Sequence, residues 1–334
     1  MSSLKKNIIS NYIGRAWPAL LSIILVPTYI SFLGIESYGL IGFYTSLSAV
    51  IGIFDLGIGS TMNRELAKRS TIVSKQDTQR DLVKTLEIIY WIIAIIVGII
   101  IIFLSSFIAN TWIKAENLPP QLISSAVMFM GLSIALRFPL SLYQGGLMGL
   151  QKQVLVNKLL IILGTVRGLG AVAVLWLISS KIDIFFIWQS IISLVGSIVF
   201  LFALWSNLPK TNIKSVFRIS ILFEIWSYAA AISLNAIIGM IMSQLDKILL
   251  STLLSLKLFA YYSIASTVAS ALWMIINPFN NAVFPKLVEL ISKDNYQRLK
   301  NFFHEMSQIL SLLLLPIGFI LIFYSKEILL VWLN

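Results

Sequence analysis

Cysteine is absent from this chain, and histidine occurs once, as His304. The first absence excludes disulfides, thiolate nucleophiles and iron–sulfur clusters, and says nothing of compartment. The second leaves no His-based metal cluster and no catalytic triad. Catalytic residues, metal ligands and cofactors are therefore all expected to be none. Charge is scarce: Asp, Glu, Lys and Arg make up 12% of residues, against about a quarter in soluble domains. No long polar stretch separates the apolar segments, so soluble chemistry has no domain to occupy. A secretory signal peptide is missing too, because the first apolar segment is long, holds Pro18 and Pro27 and lacks a small-residue cleavage pattern.

What is present is apolar. Hydrophobic residues reach 58% and the mean hydropathy is +0.91. A membrane span needs about 20 consecutive apolar residues, and the pattern predicts spans at 10–32, 38–61, 84–108, 122–149, 156–179, 183–206, 221–250, 257–284 and 303–325. The expected fold class is all-α, a polytopic integral membrane protein of about nine transmembrane helices. Trp112, Trp188, Trp205 and Trp332 fall near span ends, where interfacial anchors belong.

The net charge of +11 raises nucleic acid as a partner, but its distribution points to a bilayer. Lys5 and Lys6 precede the first span. Arg64, Lys68, Arg69, Lys75, Arg80 and Lys84 fill the second gap, and Lys152 and Lys158 flank the fourth. The sixth holds Lys210, Lys214 and Arg218; the eighth holds Lys286, Lys293, Arg298 and Lys300. Odd gaps are nearly uncharged. By the positive-inside rule the N-terminus and the even gaps are cytoplasmic, and no nucleic acid is expected. Met62–Lys84 reads as a cytoplasmic loop near anionic headgroups.

Residues 207–218, with Pro209 and three positives, read as a cytoplasmic linker. They divide a six-helix N-terminal bundle (1–206) from a partial C-terminal bundle of three helices (219–334). Ile219–Tyr228, with Glu224, reads as partly interfacial. Leu33-Gly34-Ile35-Glu36-Ser37-Tyr38-Gly39-Leu40 and Leu254-Ser255-Leu256-Lys257-Leu258-Phe259-Ala260-Tyr261 are both tight outer turns followed by a return helix. They suggest parallel internal repeats. If the second half also uses six spans, three are missing and the chain stops early.

Three arginines fall inside spans. A charge at mid-bilayer costs roughly 2.5–3.5 kcal/mol on the insertion scale, so each should face a cavity or a partner. Arg137 and Arg167 lie near the middle of adjacent antiparallel spans, at matching depth. They line an electropositive cavity or hydrogen-bond between helices. Arg15, a turn inside the first span, joins that cavity or snorkels to the cytoplasmic face. Asp55 matches Arg15 in depth, as its ion-pair partner or as a gate or ion-coupling group. Asp246 and Lys247 are further gate or coupling candidates, about 100° apart on their helix. Pro18, Pro27, Pro139, Pro278 and Pro316 interrupt spans; Pro18 and Pro27 are the hinge candidates. Gly145, Gly146 and Gly149 permit close helix packing.

Phe54-Asp55-Leu56-Gly57, Tyr143-Gln144-Gly145-Gly146-Leu147-Met148-Gly149-Leu150-Gln151-Lys152 with Asn157 following, and Gln244-Leu245-Asp246-Lys247-Ile248 resemble the polysaccharide-export flippases in order and spacing. These are the repeat-unit (Wzx-type) flippases of the multidrug/oligosaccharidyl-lipid/polysaccharide superfamily. The resemblance covers the whole chain. It implies two six-helix bundles around a cavity that opens alternately to each side, in a bacterial cytoplasmic membrane. The implied substrate is a polyprenyl-diphosphate-linked oligosaccharide for O-antigen, capsule or exopolysaccharide, with Arg137, Arg167 and Arg15 as cavity cations for its diphosphate. It also admits other polysaccharide assembly proteins as partners. The departure is length, since such proteins carry 12 or more spans; an inactive truncated fragment is one expectation. The others are a cation-coupled small-molecule exporter of the same superfamily and, disfavoured by short outer gaps, a membrane-embedded glycan polymerase or acyltransferase. The expectation is a transporter and no enzyme.

Overall fold

The computed structural model describes residues 3–55, 57–70, 76–210, 214–292 and 295–333, with some side chains inside those ranges left aside, Arg15 and Pro278 among them. Among these residues the chain is mostly helical, with fourteen α-helices: α1 (Ser3–Ile24), α2 (Val26–Leu33), α3 (Ile35–Ile51), α4 (Ile58–Ser70), α5 (Gln76–Phe107), α6 (Pro120–Arg137), α7 (Leu140–Gly149), α8 (Gln153–Leu177), α9 (Ile182–Asn207), α10 (Ile219–Leu253), α11 (Leu256–Ser270), α12 (Trp273–Ser292), α13 (Tyr296–Phe323) and α14 (Ser325–Leu333). Nine helical stretches among the described residues are long and apolar enough to cross a membrane. The protein is an all-α, multi-pass membrane protein.

Several spans are broken where the sequence marks them. Pro18 sits inside α1, and Pro27 opens α2 just after the break at Leu25. A proline at the first turn loses no hydrogen bond, so α2 starts there without cost. Pro139 separates α6 from α7 in the same way. The second span stops at a tight turn, Gly52–Asp55, and Gly57 takes a positive φ of 62°.

That turn corrects the reading of Met62–Lys84 as a loop. Ile58–Ser70 is a helix, α4, whose Met62 and Leu66 are fully buried. It lies on α7: a Cβ at Gly145 would strike the carbonyl oxygen of Gly59, and one at Gly149 that of Asn63. The glycines expected to allow close packing thus bring two backbones together.

The expected interfacial segment at Ile219–Tyr228 is continuous with the seventh span, as one 35-residue helix. Among the described residues its candidate membrane span runs Ser233–Leu253. Ile221 and Ile225 are buried against the first half of the chain. Beneath them Arg69, 5% exposed, reaches Glu65 at 3.6 Å and Glu224 at 3.1 Å. Asp81 accepts from the Val216 backbone at 2.8 Å and pairs with Arg218 at 2.7 Å, and the Arg218 N–H reaches Thr85 at 3.0 Å. The linker is therefore docked on the start of α5.

Candidate functional site

The up-and-down order gives the bundle a basic end and an opposite end. At the opposite end the halves are joined. Glu36, buried at the start of α3, accepts from the backbone N–H groups of Glu116 (2.5 Å) and Asn117 (3.1 Å) and from the Asn117 amide (3.1 Å). This holds the 113–119 loop so that the Lys114 carbonyl accepts from the Leu256 N–H at 2.7 Å. Trp112 donates to Ser251 at 3.0 Å. The two segments matched as repeats meet here: a Cβ at Gly39 would strike Leu256, and one at Gly42 would strike Ser263. Small residues in the return helix permit this approach between α3 and α11.

Toward the basic end the same halves diverge. A crevice of about 550 Å³ opens between α1 and α11–α12, lined by Asn11, Tyr12, Ala16, Ala19, Ser22 and Ile23 on one wall. Thr267, Ser270, Ala271, Trp273, Met274 and Asn277 form the other. Both walls are bent, by Pro18 and the Leu25 break on one side and by the Ala271–Leu272 turn on the other. Two other hollows differ in kind. One, of about 400 Å³ between α4–α5 and α10, is almost wholly apolar. The other, past His304 and Pro316, is walled by α13 alone.

Arg137 and Arg167 come together, though neither lines the crevice. Each lies roughly 20 Å from the basic end of its span at 1.5 Å per residue, and their charges act on each other and on the Tyr44 hydroxyl. Arg167 donates to Gln189 and Ser193 at 3.3 Å each. Ser193 shares a hydrogen bond with Ser133 (3.1 Å), which shares one with Tyr44 (3.0 Å). The chain of hydroxyls links α8, α9, α6 and α3. Arg137, at the α6–α7 break, is exposed and makes no hydrogen bond or ion pair among the described residues.

Asp55, in the tight turn, accepts from Tyr90 and, at 2.6 Å, from Ser141. The Arg15 side chain lies outside the described residues, as does any pairing it makes. Asp246 accepts from Tyr262 on α11 and is exposed, while Lys247 is half-buried. Of the tryptophans read as anchors, Trp188 ties α9 to α8 by donating to the Arg167 carbonyl at 3.2 Å, and Trp205 donates to Glu87 at 3.4 Å.

Three features escaped the sequence reading: the Glu36 clamp, the buried Glu87 and the serine stripe of α9. Ser190 donates to Phe129 O (3.0 Å) and Ser197 to Leu136 O (2.5 Å), while Ser193 meets Ser133. The spacing of 190, 193 and 197 puts all three on one helix face and was the available signal.

No curated protein and no solved structure matches the chain. Residues 4–291 match the family described as polysaccharide biosynthesis protein. That match spans most of the sequence and all of the helices that build the crevice and the arginine cluster. The chain belongs to the polysaccharide biosynthesis protein family, a group of membrane transporters that includes the Wzx-type flippases of the MOP superfamily.

Proposed function

We propose that this protein flips polyprenyl-diphosphate-linked oligosaccharide repeat units across the bacterial cytoplasmic membrane by alternating access, with its N-terminus cytoplasmic. The observation that carries the reading is the crevice. It opens at the basic end while the opposite end is sealed, the arrangement of an inward-open transporter. On this reading the bundle of 1–206 supplies one wall through α1 and the partial bundle of 219–334 the other through α11–α12.

Arg137 and Arg167 are proposed to neutralise the diphosphate during crossing. An exposed intramembrane guanidinium is costly unless an anion, a partner or water meets it, and Arg137 is exposed with no hydrogen bond or ion pair among the described residues. Gln189 and Ser193 hold Arg167 in register behind it. Arg15 is the third proposed cation: the helical period puts positions 12, 15, 19 and 22 of α1 on one face. Pro18 and Pro27 are the proposed hinges, and Asp246 and Lys247 gate candidates.

The test is surface glycan in a bacterium lacking its repeat-unit flippase, with this chain supplied in trans. Arg137→Ala and Arg167→Ala should each abolish restoration and Lys should restore it in part; full activity of both Ala variants would sink the proposal. A second reading, a cation-coupled small-molecule exporter, is favoured by Asp55, a carboxylate at a helix break that accepts from the hydroxyls of Tyr90 and Ser141. It expects altered drug susceptibility and no dependence on Arg137.

A further inference from the structure

The hydroxyl chain beside Arg167 carries a direction as well as a set of contacts. A guanidinium can only donate, so the bond at 3.3 Å runs from Arg167 to Ser193 Oγ. Ser193 is 1% exposed and Ser133 fully buried. Among the described residues the acceptor within reach of the Ser193 proton is Ser133 Oγ at 3.1 Å, and the next oxygen along is Tyr44 Oη, 3.0 Å from Ser133. Run the other way, the chain would strand the Ser193 proton in the interior without an acceptor, the costly arrangement for a buried polar group. The protons therefore point from Arg167 through Ser193 and Ser133 toward Tyr44. The proton left over is that of the Tyr44 hydroxyl.

The surroundings of that hydroxyl are the second observation. On α3, Thr45 and Ser46 turn their own hydroxyls back to Gly42 O, at 2.7 and 3.3 Å. Ser48, one turn beyond Tyr44 on the same face, does not: its Oγ is buried and has no hydrogen-bond partner among the described residues. The charges of Arg137 and Arg167 both act on the Tyr44 hydroxyl. Two cations, a phenolic proton and an unpaired serine hydroxyl thus stand together, and all of them can donate. An oxyanion calls for such a set. Arg137 is its exposed member, so an anion arrives on that side.

We infer that Tyr44 is a further substrate-binding residue: its hydroxyl donates to a diphosphate oxygen held by Arg137 and Arg167, with Ser48 beside it, and the Ser193–Ser133 relay keeps that proton turned outward. The inference rests on the proposed diphosphate-linked substrate and adds to its cations a donor that a map of charges does not reveal. Being neutral, Tyr44 brings no like charge to two guanidiniums that already repel each other. Backing by a cation through two hydroxyls polarises its proton and strengthens the bond it gives.

The test is the binding of two probes, farnesyl diphosphate and farnesol, to the purified full-length chain in nanodiscs. The probes share a tail and differ in the anion. Tyr44→Phe removes the donor but strands the Ser133 proton, so the double variant Tyr44→Phe/Ser133→Ala, which removes both partners together, is measured beside it. Ser133→Ala alone keeps the Tyr44 donor. Tyr44→Phe and the double variant should bind farnesyl diphosphate about tenfold more weakly and Ser133→Ala at most about threefold, with farnesol within about twofold of the wild type throughout. A double variant that melts like the wild type and keeps full affinity for farnesyl diphosphate would overturn the inference. A loss with Ser133→Ala as large as that with Tyr44→Phe would do so too, because Tyr44 would then act through packing, and so would equal losses for the two probes. A wild type that binds the two probes alike, or that loses nothing with Arg137→Ala, would instead remove the diphosphate reading itself, and the role of Tyr44 with it.

Discussion

Glu36 offers the sharpest test of how the opposite end is sealed. Its carboxylate is 7% exposed and takes protons from three donors, at 2.5 Å from Glu116 N and 3.1 Å from each nitrogen of Asn117. A hydrogen bond to a charged group contributes about 1.5–3 kcal/mol. Three would give about 4–9 kcal/mol if all donors stayed dry after its loss. The loop is at a membrane surface, and water will replace part of that, so about 2–3 kcal/mol is the expected net loss for Glu36→Ala. Because this loop presents Lys114 O to Leu256 N at 2.7 Å, the loss falls on the contact between the two halves. At 1.4 kcal/mol per tenfold, the open-to-closed ratio at that end should rise roughly 30- to 150-fold.

The absence of native cysteine makes the assay clean. Ser263, 8% exposed on α11 against Gly42 of α3, is replaced by Cys and its labelling by a membrane-impermeant maleimide is followed on spheroplasts. Labelling should be slow in the parent and at least tenfold faster with Glu36→Ala, with Glu36→Gln between them. Equal rates in the parent and in a well-folded Glu36→Ala protein would refute the claim that the clamp closes this end.

Four further outcomes are expected. Gly145→Ala drives a Cβ into the Gly59 carbonyl and should lower thermal stability in detergent by about 1–3 kcal/mol; Gly196→Ala, whose Cβ would meet Leu163 at 3.4 Å and Leu140 at 4.0 Å, both ordinary contacts, should be neutral or mildly stabilising. Arg69→Ala strips the buried partner of Glu65 and Glu224 and should cost about 3–5 kcal/mol, read as lost expression, whereas Arg64→Ala should cost under about 1 kcal/mol. Ser190→Ala and Ser197→Ala should each reduce unfolding free energy by about 0.5–1.5 kcal/mol, the range for hydrogen bonds between membrane helices. Arg137→Ala should leave melting unchanged while abolishing glycan export, since Arg137 has no described hydrogen bond or ion pair to lose.

The spans were legible because hydropathy is a local property, and so were the breaks at Pro27 and Pro139, where one residue type decides the backbone. The matching depth of Arg137 and Arg167 followed from helix rise alone. Other features depend on partners far along the chain. Arg69 reads as one more surface cation in a basic run until Glu224, 155 residues later, arrives to bury it; that pairing turns an apparent loop into α4. Glu36 reads as a turn residue until the 113–119 loop folds over it. Arg167 left two readings open in the sequence, and Gln189 and Ser193 give it a bond between helices. The crevice was invisible for another reason: its walls, α1 and α11–α12, come from distant parts of the chain.

The docked linker limits how such a molecule can move. Asp81, Thr85 and Arg69 fasten residues 216–224 to the start of α5 and the end of α4, so the two halves are pinned along one edge at the basic end. A door fastened along one jamb swings from the other. The crevice opens at the α1 and α11–α12 flank. Cargo with a long hydrocarbon tail would therefore enter and leave sideways through that flank, its tail staying in the lipid while the head turns inside.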